Sequence, residues 1–191
     1  MAALVEACKN PDFGAHVCCV ISDVAQAPGV IYAKDAGIPT AVVALEEFES
    51  RESWDHALAA TLRTFDPDLV MCAGFMRILG SPVLDAFPDQ VVNTHPALLP
   101  QFPGAHAVRD ALAAGVTQTG CTVMIVDEGI DTGPVVAQEV VEVRENDTEE
   151  TLRARIQQVE KPLVVATLGR MIREGWTVDG RAVHIGTGGS L

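Results

Sequence analysis

The composition of this 191-residue chain is typical of a globular protein, since 48% of its residues are hydrophobic and 20% are charged. Its 13 basic and 26 acidic residues give a net charge of −13, which repels nucleic acids and anionic membranes, so we expect neither as a partner. No apolar run reaches the roughly 18 residues of a membrane helix, and no cleavable leader opens the chain. We therefore expect one cytoplasmic domain over residues 1–191.

Short apolar runs in the first half of the chain predict buried strands. The runs are AHVCCVIS (15–22), PTAVVAL (39–45), PDLVMCAGF (67–75) and QVVNTH (90–95). Near-continuous rather than alternating apolar residues are typical of strands buried on both faces of a parallel sheet. Helical patterns lie at 1–10, 27–37, 49–66 and 106–115. This alternation predicts a doubly wound α/β fold with a mostly parallel sheet.

The last third of the chain has a different pattern. Residues 122–143 predict two strands joined by an acidic, glycine-containing loop. Residues 146–175 begin with a capping signal and predict a long helix, in which Pro162 favours a kink or an early break. The Asp-Gly pair in WTVDGRAVHIG (176–186) predicts a terminal hairpin.

The five cysteines lie mostly within or beside apolar runs. Their number is odd and no CxxC spacing occurs, so we interpret them as small buried side chains rather than as disulfides or metal ligands. We expect no bound metal.

The stretch NTHPALLPQFPG (93–104) carries the strongest chemical signal. Asn93 and His95 are two residues apart at the end of a predicted strand, so their side chains share one face. An amide can donate to a developing oxyanion, and an imidazole titrates near neutral pH. The prolines that follow predict a fixed, extended loop, so the pattern favours an acid/base pair that is held by a rigid loop.

A carboxylate that orients the imidazole is expected as a third member. Asp131, between glycines in DEGIDTGP, is the best candidate, and Asp127 and Glu128 are alternatives. Each residue also has an ordinary structural interpretation as a turn former or a satisfied polar side chain.

Three motifs in the same order resemble the folate-dependent formyltransferases: AGFMRIL (73–79), NTHPALLPQFPG (93–104) and DEGIDTGPVV (127–136). The resemblance runs over nearly the whole chain and is greatest to members that act on glycinamide ribonucleotide. Members that formylate methionyl-tRNA usually add a tRNA-binding domain. The formyltetrahydrofolate hydrolases typically carry a second histidine where Pro96 stands.

The resemblance implies a transfer of the formyl group from the co-substrate 10-formyltetrahydrofolate to the amine of glycinamide ribonucleotide in purine synthesis. It implies Asn93, His95 and Asp131 as catalytic residues. The folate-binding residues it implies are Met76, Arg77, Ile78, Leu79, Val126, Asp127, Glu128, Gly129 and Ile130. The implied acceptor-binding residues are Arg51, Pro96, Gly104, His106, Gln157 and Glu160.

One departure from the family concerns the start of the chain. In the family, a first strand and a Gly/Ser/Asn-rich turn bind the acceptor phosphate just before the helix that corresponds to Ala2–Cys8. We expect this strand near the middle of the sheet, so its lack would leave two strand edges unpaired. A start codon assigned too late is favoured over a truncated, poorly active protein. A formyltransferase acting on another amine and an inactive folate-binding protein remain alternatives, and the oligomeric state stays open.

Overall fold

A computed structural model describes residues 1–186, so the last five residues of the expected 1–191 domain lie outside it. The helices of this part are α1 (Ala2–Ala7), α2 (Pro28–Asp35), α3 (Arg51–Phe65), α4 (Ser81–Leu84), α5 (Ala107–Ala113) and α6 (Glu149–Glu174). The strands are β1 (Val20–Ser22), β2 (Thr40–Val42), β3 (Val70–Cys72), β4 (Val91–His95), β5 (Gln118–Ile125), β6 (Val135–Glu142), β7 (Trp176–Asp179) and β8 (Ala182–Ile185). The predicted α/β class is confirmed.

The strands form a two-stranded sheet, β1–β2, and a six-stranded sheet in the order β3-β4-β5-β6-β8-β7. The pairs β1–β2 and β3–β4 are parallel, as predicted for the first half of the chain. In the last third, β4–β5, β5–β6 and β7–β8 are antiparallel. Strands β5 and β6 are antiparallel because the short loop 126–134 joins them directly, whereas parallel neighbours need a long crossover.

Strands β1 and β3 each have one paired edge within residues 1–186, and they are not hydrogen-bonded to each other. Ile21 of β1 and Val70 of β3 nevertheless pack against the same core cluster. An ion pair between Asp23 and Arg77 links the segments that follow the two strands. The sheet is therefore divided, with the two open edges that the sequence analysis predicted.

The core lies on both faces of β4. Val91 belongs to a cluster with Trp54 and Val83, so α3 and α4 cover one face. Its neighbour Val92 belongs to a cluster with Leu168 and Met171, so α6 covers the other. Because the strand is buried on both sides, its C-terminal end is held firmly at one position in the molecule.

Helix α6 runs without interruption through Pro162, so the predicted early break is wrong. The helix begins at a Thr148 N-cap, whose side chain accepts from the N–H of Thr151. Ile156 before the proline and Leu168 after it are both buried. Packing of this apolar face outweighs the hydrogen bond that the proline removes. No helix in the described part of the chain is long and apolar enough to cross a membrane.

Candidate active site

The end of β4 lies in the interior of the six-stranded sheet. Asn93 is paired with β3 at Cys72, and His95 is paired with β5 at Thr122. Strand alternation directs the Asn93 and His95 side chains to one face and Thr94 to the other. His95 is only 4% exposed, so its imidazole is largely removed from water.

Both nitrogens of the His95 ring face hydrogen-bond acceptors. Nδ1 lies 3.2 Å from Oδ2 of Asp131, and Nε2 lies 2.7 Å from the carbonyl oxygen of Phe102. Carboxylate and carbonyl oxygens only accept, so the imidazolium cation, which donates from both nitrogens, satisfies both contacts at once. The imidazole ring is therefore held between two acceptors, one of which is a carboxylate.

The structure places Asp131 against His95, whereas the alternatives Asp127 and Glu128 lie elsewhere. The same Asp131 oxygen accepts a hydrogen bond of 2.8 Å from the backbone N–H of Gly104. Asp127 instead accepts from Gly129 N and from the Thr132 hydroxyl, so it braces its own loop. Glu128 is exposed.

The loop that carries Asp131 has a demanding backbone conformation. Asp131 has φ +53°, in the left-handed region that non-glycine residues seldom adopt. Gly133 follows closely, and a Cβ there would collide with the carbonyl oxygen of Ile125. Gly133 is therefore required by close backbone packing.

The proline-rich loop after His95 is anchored by side chains that the sequence analysis missed. The Thr122 hydroxyl donates to Ala97 O and accepts from Leu99 N. Gln138 donates to Leu99 O and to the Thr122 hydroxyl. This network fixes the segment that leads to Phe102 and Gly104. A pairing of threonine and glutamine on neighbouring strands has no distinctive sequence signal.

The Asn93 side chain differs from that of His95 in having no partner. Its amide makes no hydrogen bond to any residue in the range 1–186, and it is partly exposed. An amide of this kind remains available to donate to a ligand oxygen. Asn93 and His95 therefore present one free and one preorganised group on the same face.

Side chains of α3 bind the backbone of the segment Met76–Leu79 and of the residue that follows it. Arg51 donates to the carbonyl oxygen of Ile78, and Asp55 accepts from the N–H of Gly80 at 3.1 Å. Arg51 and Asp55 also pair with each other at 3.1 Å. The sequence analysis grouped Arg51 with the acceptor side, but the structure places it against the segment implied for folate.

The implied folate-binding residues present both apolar and backbone groups. Met76, Ile78 and Ile130 are 78%, 55% and 56% exposed. Leu79 is buried, so only its backbone can reach a ligand. Val126 packs against the same core cluster as Leu79, which brings the two implied segments to one side of the molecule.

The implied acceptor residues are more dispersed. Gly104 contacts Asp131 directly, and Pro96 follows His95 in the chain. His106 is exposed at the start of α5. Glu160 lines a cavity of about 120 Å³ with Met1 and Thr94, on the face of β4 opposite to His95.

Gln157 lies one helical turn before Glu160 and is exposed. The structure therefore gathers Asn93, His95, Asp131 and Gly104 around the end of β4, and it places Gln157 and Glu160 apart from them.

In the described part of the chain, no group of three or more His, Cys, Asp or Glu residues is arranged to hold a metal ion.

The fold and this site agree with comparisons to known proteins. Residues 1–168 match the family described as Formyl transferase (Formyl_trans_N). The chain belongs to this formyl transferase family. It is therefore an enzyme of formyl transfer, and the predicted family resemblance is confirmed.

Individual relatives agree with this placement in the formyl transferase family. The chain is 49% identical over 154 residues to a phosphoribosylglycinamide formyltransferase of Mycobacterium tuberculosis (strain CDC 1551 / Oshkosh), covering 81% of this chain and 72% of that protein. It is 38% identical over 191 residues to the trifunctional purine biosynthetic protein adenosine-3 of Bos taurus, covering all of this chain and 18% of that protein. A crystal structure of glycinamide ribonucleotide transformylase 1 from Symbiobacterium toebii has a TM-score of 0.92 and 39% identity, covering 96% of this chain and 86% of that one.

Proposed function

We propose that this member of the formyl transferase family moves the formyl group of 10-formyltetrahydrofolate to the amine of glycinamide ribonucleotide, a step of purine biosynthesis. The names of its relatives support this acceptor. The observation that carries the chemistry is the contact of 3.2 Å between His95 and Asp131 beside the free amide of Asn93.

The reaction needs an environment for a tetrahedral intermediate. The acceptor amine attacks the formyl carbon, and the carbonyl electrons move onto oxygen to give an oxyanion. Asn93 donates to this oxygen through its side-chain N–H. The His95 cation also donates to it, after exchanging the Phe102 carbonyl for the oxyanion. Two donors fixed around a developing charge are an effective form of electrostatic catalysis.

Collapse of the intermediate requires a proton transfer. The attacking nitrogen loses a proton, and the departing folate nitrogen gains one as its bond to the formyl carbon breaks. Asp131 is 14% exposed, so water can reach it and carry this proton. The carboxylate also keeps the His95 ring oriented throughout, because Gly104 holds the same oxygen.

The folate side of the proposal uses the exposed apolar segment after β3. Met76 and Ile78 offer surface for an aromatic heterocycle, and the backbone at Arg77 and Leu79 offers groups for its polar edge. Residues 126–130 close the other side. We assign Arg51 to this half, because it holds the Ile78 carbonyl.

For binding of the acceptor, glycinamide ribonucleotide, we propose Pro96, Gly104, His106, Gln157 and Glu160.

We also propose a single domain that acts in the cytoplasm. The free state of all five cysteines accords with a reducing compartment.

A direct assay tests the proposed reaction. The purified protein is mixed with 10-formyltetrahydrofolate and glycinamide ribonucleotide, and tetrahydrofolate and formylated product are measured by mass spectrometry. We expect the two products in equal amounts. Formate release without acceptor would instead indicate a hydrolase, and product formation only with a different amine would change the acceptor.

Isothermal titration separates catalysis from binding alone. A catalyst of this reaction binds both the folate and glycinamide ribonucleotide. A protein that binds the folate and not the acceptor, with no turnover, would contradict the proposal and support the inactive alternative.

A further inference from the structure

Arg181 lies next to the loop that carries Asp131, although the two residues are far apart in sequence. It stands in the turn between β7 and β8. The next residue, Ala182, pairs with Val135 at the start of β6. The terminal hairpin thus brings a guanidinium to the point where loop 126–134 joins the sheet.

The guanidinium of Arg181 binds the backbone immediately after Asp131. Its Nη2 donates to the carbonyl oxygen of Thr132 and, at 3.5 Å, to that of Gly133. A planar guanidinium holds carbonyl oxygens in a fixed direction, which a flexible ammonium does less well. These contacts fix the two peptide groups that follow Asp131.

Apart from the close packing of Gly133 against the Ile125 carbonyl, few contacts tie this part of the loop to other segments. A cavity of about 480 Å³ separates it from the proline-rich segment, with Pro100 and Pro103 on the opposite wall. Among the described residues, the hydrogen bonds that tie residues 127–133 to other segments come from Asp131 itself and from Arg181. The hydrogen bonds of Asp131 and Arg181 are therefore the main polar contacts between this loop and other segments.

The left-handed conformation of Asp131 adds to the importance of these contacts. At φ +53° the residue is held in a backbone conformation that a free loop seldom adopts. We expect that without the contacts at Thr132 and Gly133 the loop adopts other conformations, in which the carboxylate moves away from His95.

We propose that Arg181 is a positioning residue that holds the Asp131 carboxylate against the His95 ring. It does not touch the reacting atoms and acts through the loop backbone. This inference rests on the proposed function only in its kinetic consequence, because the geometry it describes exists without substrate.

Kinetics of three variants test the kinetic consequence. We expect Arg181→Ala to lower kcat for formyl transfer by about tenfold, since small displacements of catalytic groups have large effects on rate. KM for the acceptor changes little, and Arg181→Lys restores part of the loss. Arg170→Ala is the matched control, because Arg170 is an exposed arginine that pairs with Glu174 on α6.

A double-mutant cycle shows whether Arg181 acts through Asp131. In an Asp131→Asn background, we expect Arg181→Ala to change kcat by less than about twofold, because the interaction it supports is already lost. A full tenfold loss in that background would mean that Arg181 acts independently of Asp131 and would overturn the proposal.

The Gly104 amide gives a readout without turnover, because its N–H donates to Asp131. We expect Arg181→Ala to shift the ¹⁵N–¹H resonance of Gly104 and to speed its hydrogen exchange, and Arg170→Ala to do neither. An unchanged Gly104 signal in Arg181→Ala would overturn the proposal even if the protein had no activity with glycinamide ribonucleotide. If the wild-type protein were inactive but Arg181→Ala still shifted the Gly104 signal, only the proposed function would be overturned.

Discussion

The ends of β3 and β4 are parallel neighbours, yet they differ in almost every physical respect. Strand β4 is paired on both edges, and it ends at His95, which is 4% exposed and has partners at both ring nitrogens. Strand β3 has a single neighbour in the described structure, and Met76 in the segment after it is 78% exposed.

We interpret this difference as a separation of the proposed reaction from the proposed folate binding. The His95 ring at the end of β4 is fixed before any ligand arrives, as electrostatic catalysis requires. The segment after β3 keeps its apolar side chains exposed for a ligand, and α3 supports only its backbone. Changes at the two ends should therefore affect different kinetic constants.

The largest effect is expected at the end of β4. His95→Ala removes one of the two proposed donors to the oxyanion, and Asn93→Ala removes the other. Each variant should lower kcat by about a hundredfold or more, because one oxyanion donor contributes roughly 3–4 kcal/mol to the barrier. Steady-state kinetics on folded protein measures this effect.

Thr119→Val is a suitable control for these two variants. Thr119 is a buried polar residue of β5 whose hydroxyl has no hydrogen-bond partner in the described structure. Its replacement should leave kcat unchanged. Near-normal turnover of His95→Ala would contradict the proposal that the end of β4 carries the reaction.

A smaller effect, on binding, is expected at the end of β3. Asp55→Ala removes the acceptor of the Gly80 N–H and the partner of Arg51. KM for 10-formyltetrahydrofolate should rise by about tenfold, since a hydrogen bond to a charged group contributes roughly 1.5–3 kcal/mol, while kcat should change less. Initial rates over a range of folate concentrations separate the two constants.

Glu52→Ala is the matched control for Asp55→Ala, because Glu52 is an exposed carboxylate one turn earlier on α3. It should leave both constants unaltered. If Asp55→Ala lowered kcat and left KM unchanged, the support from α3 would belong to the reaction rather than to folate binding.

The smallest effect is expected far from both strand ends, at Asp147. Two hydrogen bonds of 2.7 Å from Arg155, and a further one from the Arg144 N–H, hold the pKa of the Asp147 carboxyl well below its ordinary value of 3.8. A lowered pKa stabilises the folded state above pH 3.8, and this stabilisation is lost as the pH falls through the folded-state value.

Asp147→Asn should therefore lower the melting temperature by a few degrees at pH 7, and the difference from the wild type should shrink between pH 5 and pH 3. Thermal unfolding at several pH values measures it, with Glu145→Gln as an exposed reference. A constant difference across this range would exclude the carboxylate charge as its source. Neither kinetic constant should change at 25 °C, in contrast to variants at the strand ends.

Much of the arrangement at β4 could be predicted because it depends on local rules. Asn93 and His95 share a face because strands alternate, and the prolines after His95 indicated a fixed loop. The choice of Asp131 over Asp127 came from its flanking glycines. The folded chain places Asp131 beside His95 by joining β5 directly to β6.

Contacts that depend on the tertiary fold could not be predicted. Arg51, Asp55 and Arg181 form hydrogen bonds to backbone groups 25 or more residues away. Every residue carries such backbone groups, so these partners cannot be recognised from the sequence. The break expected at Pro162 failed because burial of the helix face outweighs one lost hydrogen bond. The terminal hairpin was predicted from its Asp-Gly pair and is confirmed as β7–β8, whereas the antiparallel pairing of β4 with β5 was not predicted, since apolar runs do not show strand direction.

The divided sheet has a consequence for how the protein behaves in concentrated solution. The open edges of β1 and β3 carry neither lysine nor proline, the residues that commonly keep strand edges from joining between molecules. Mutual repulsion from the net charge of −13 opposes such joining, and added salt screens this repulsion. Colloidal stability should therefore be greatest in dilute buffer, and turbidity should increase with ionic strength.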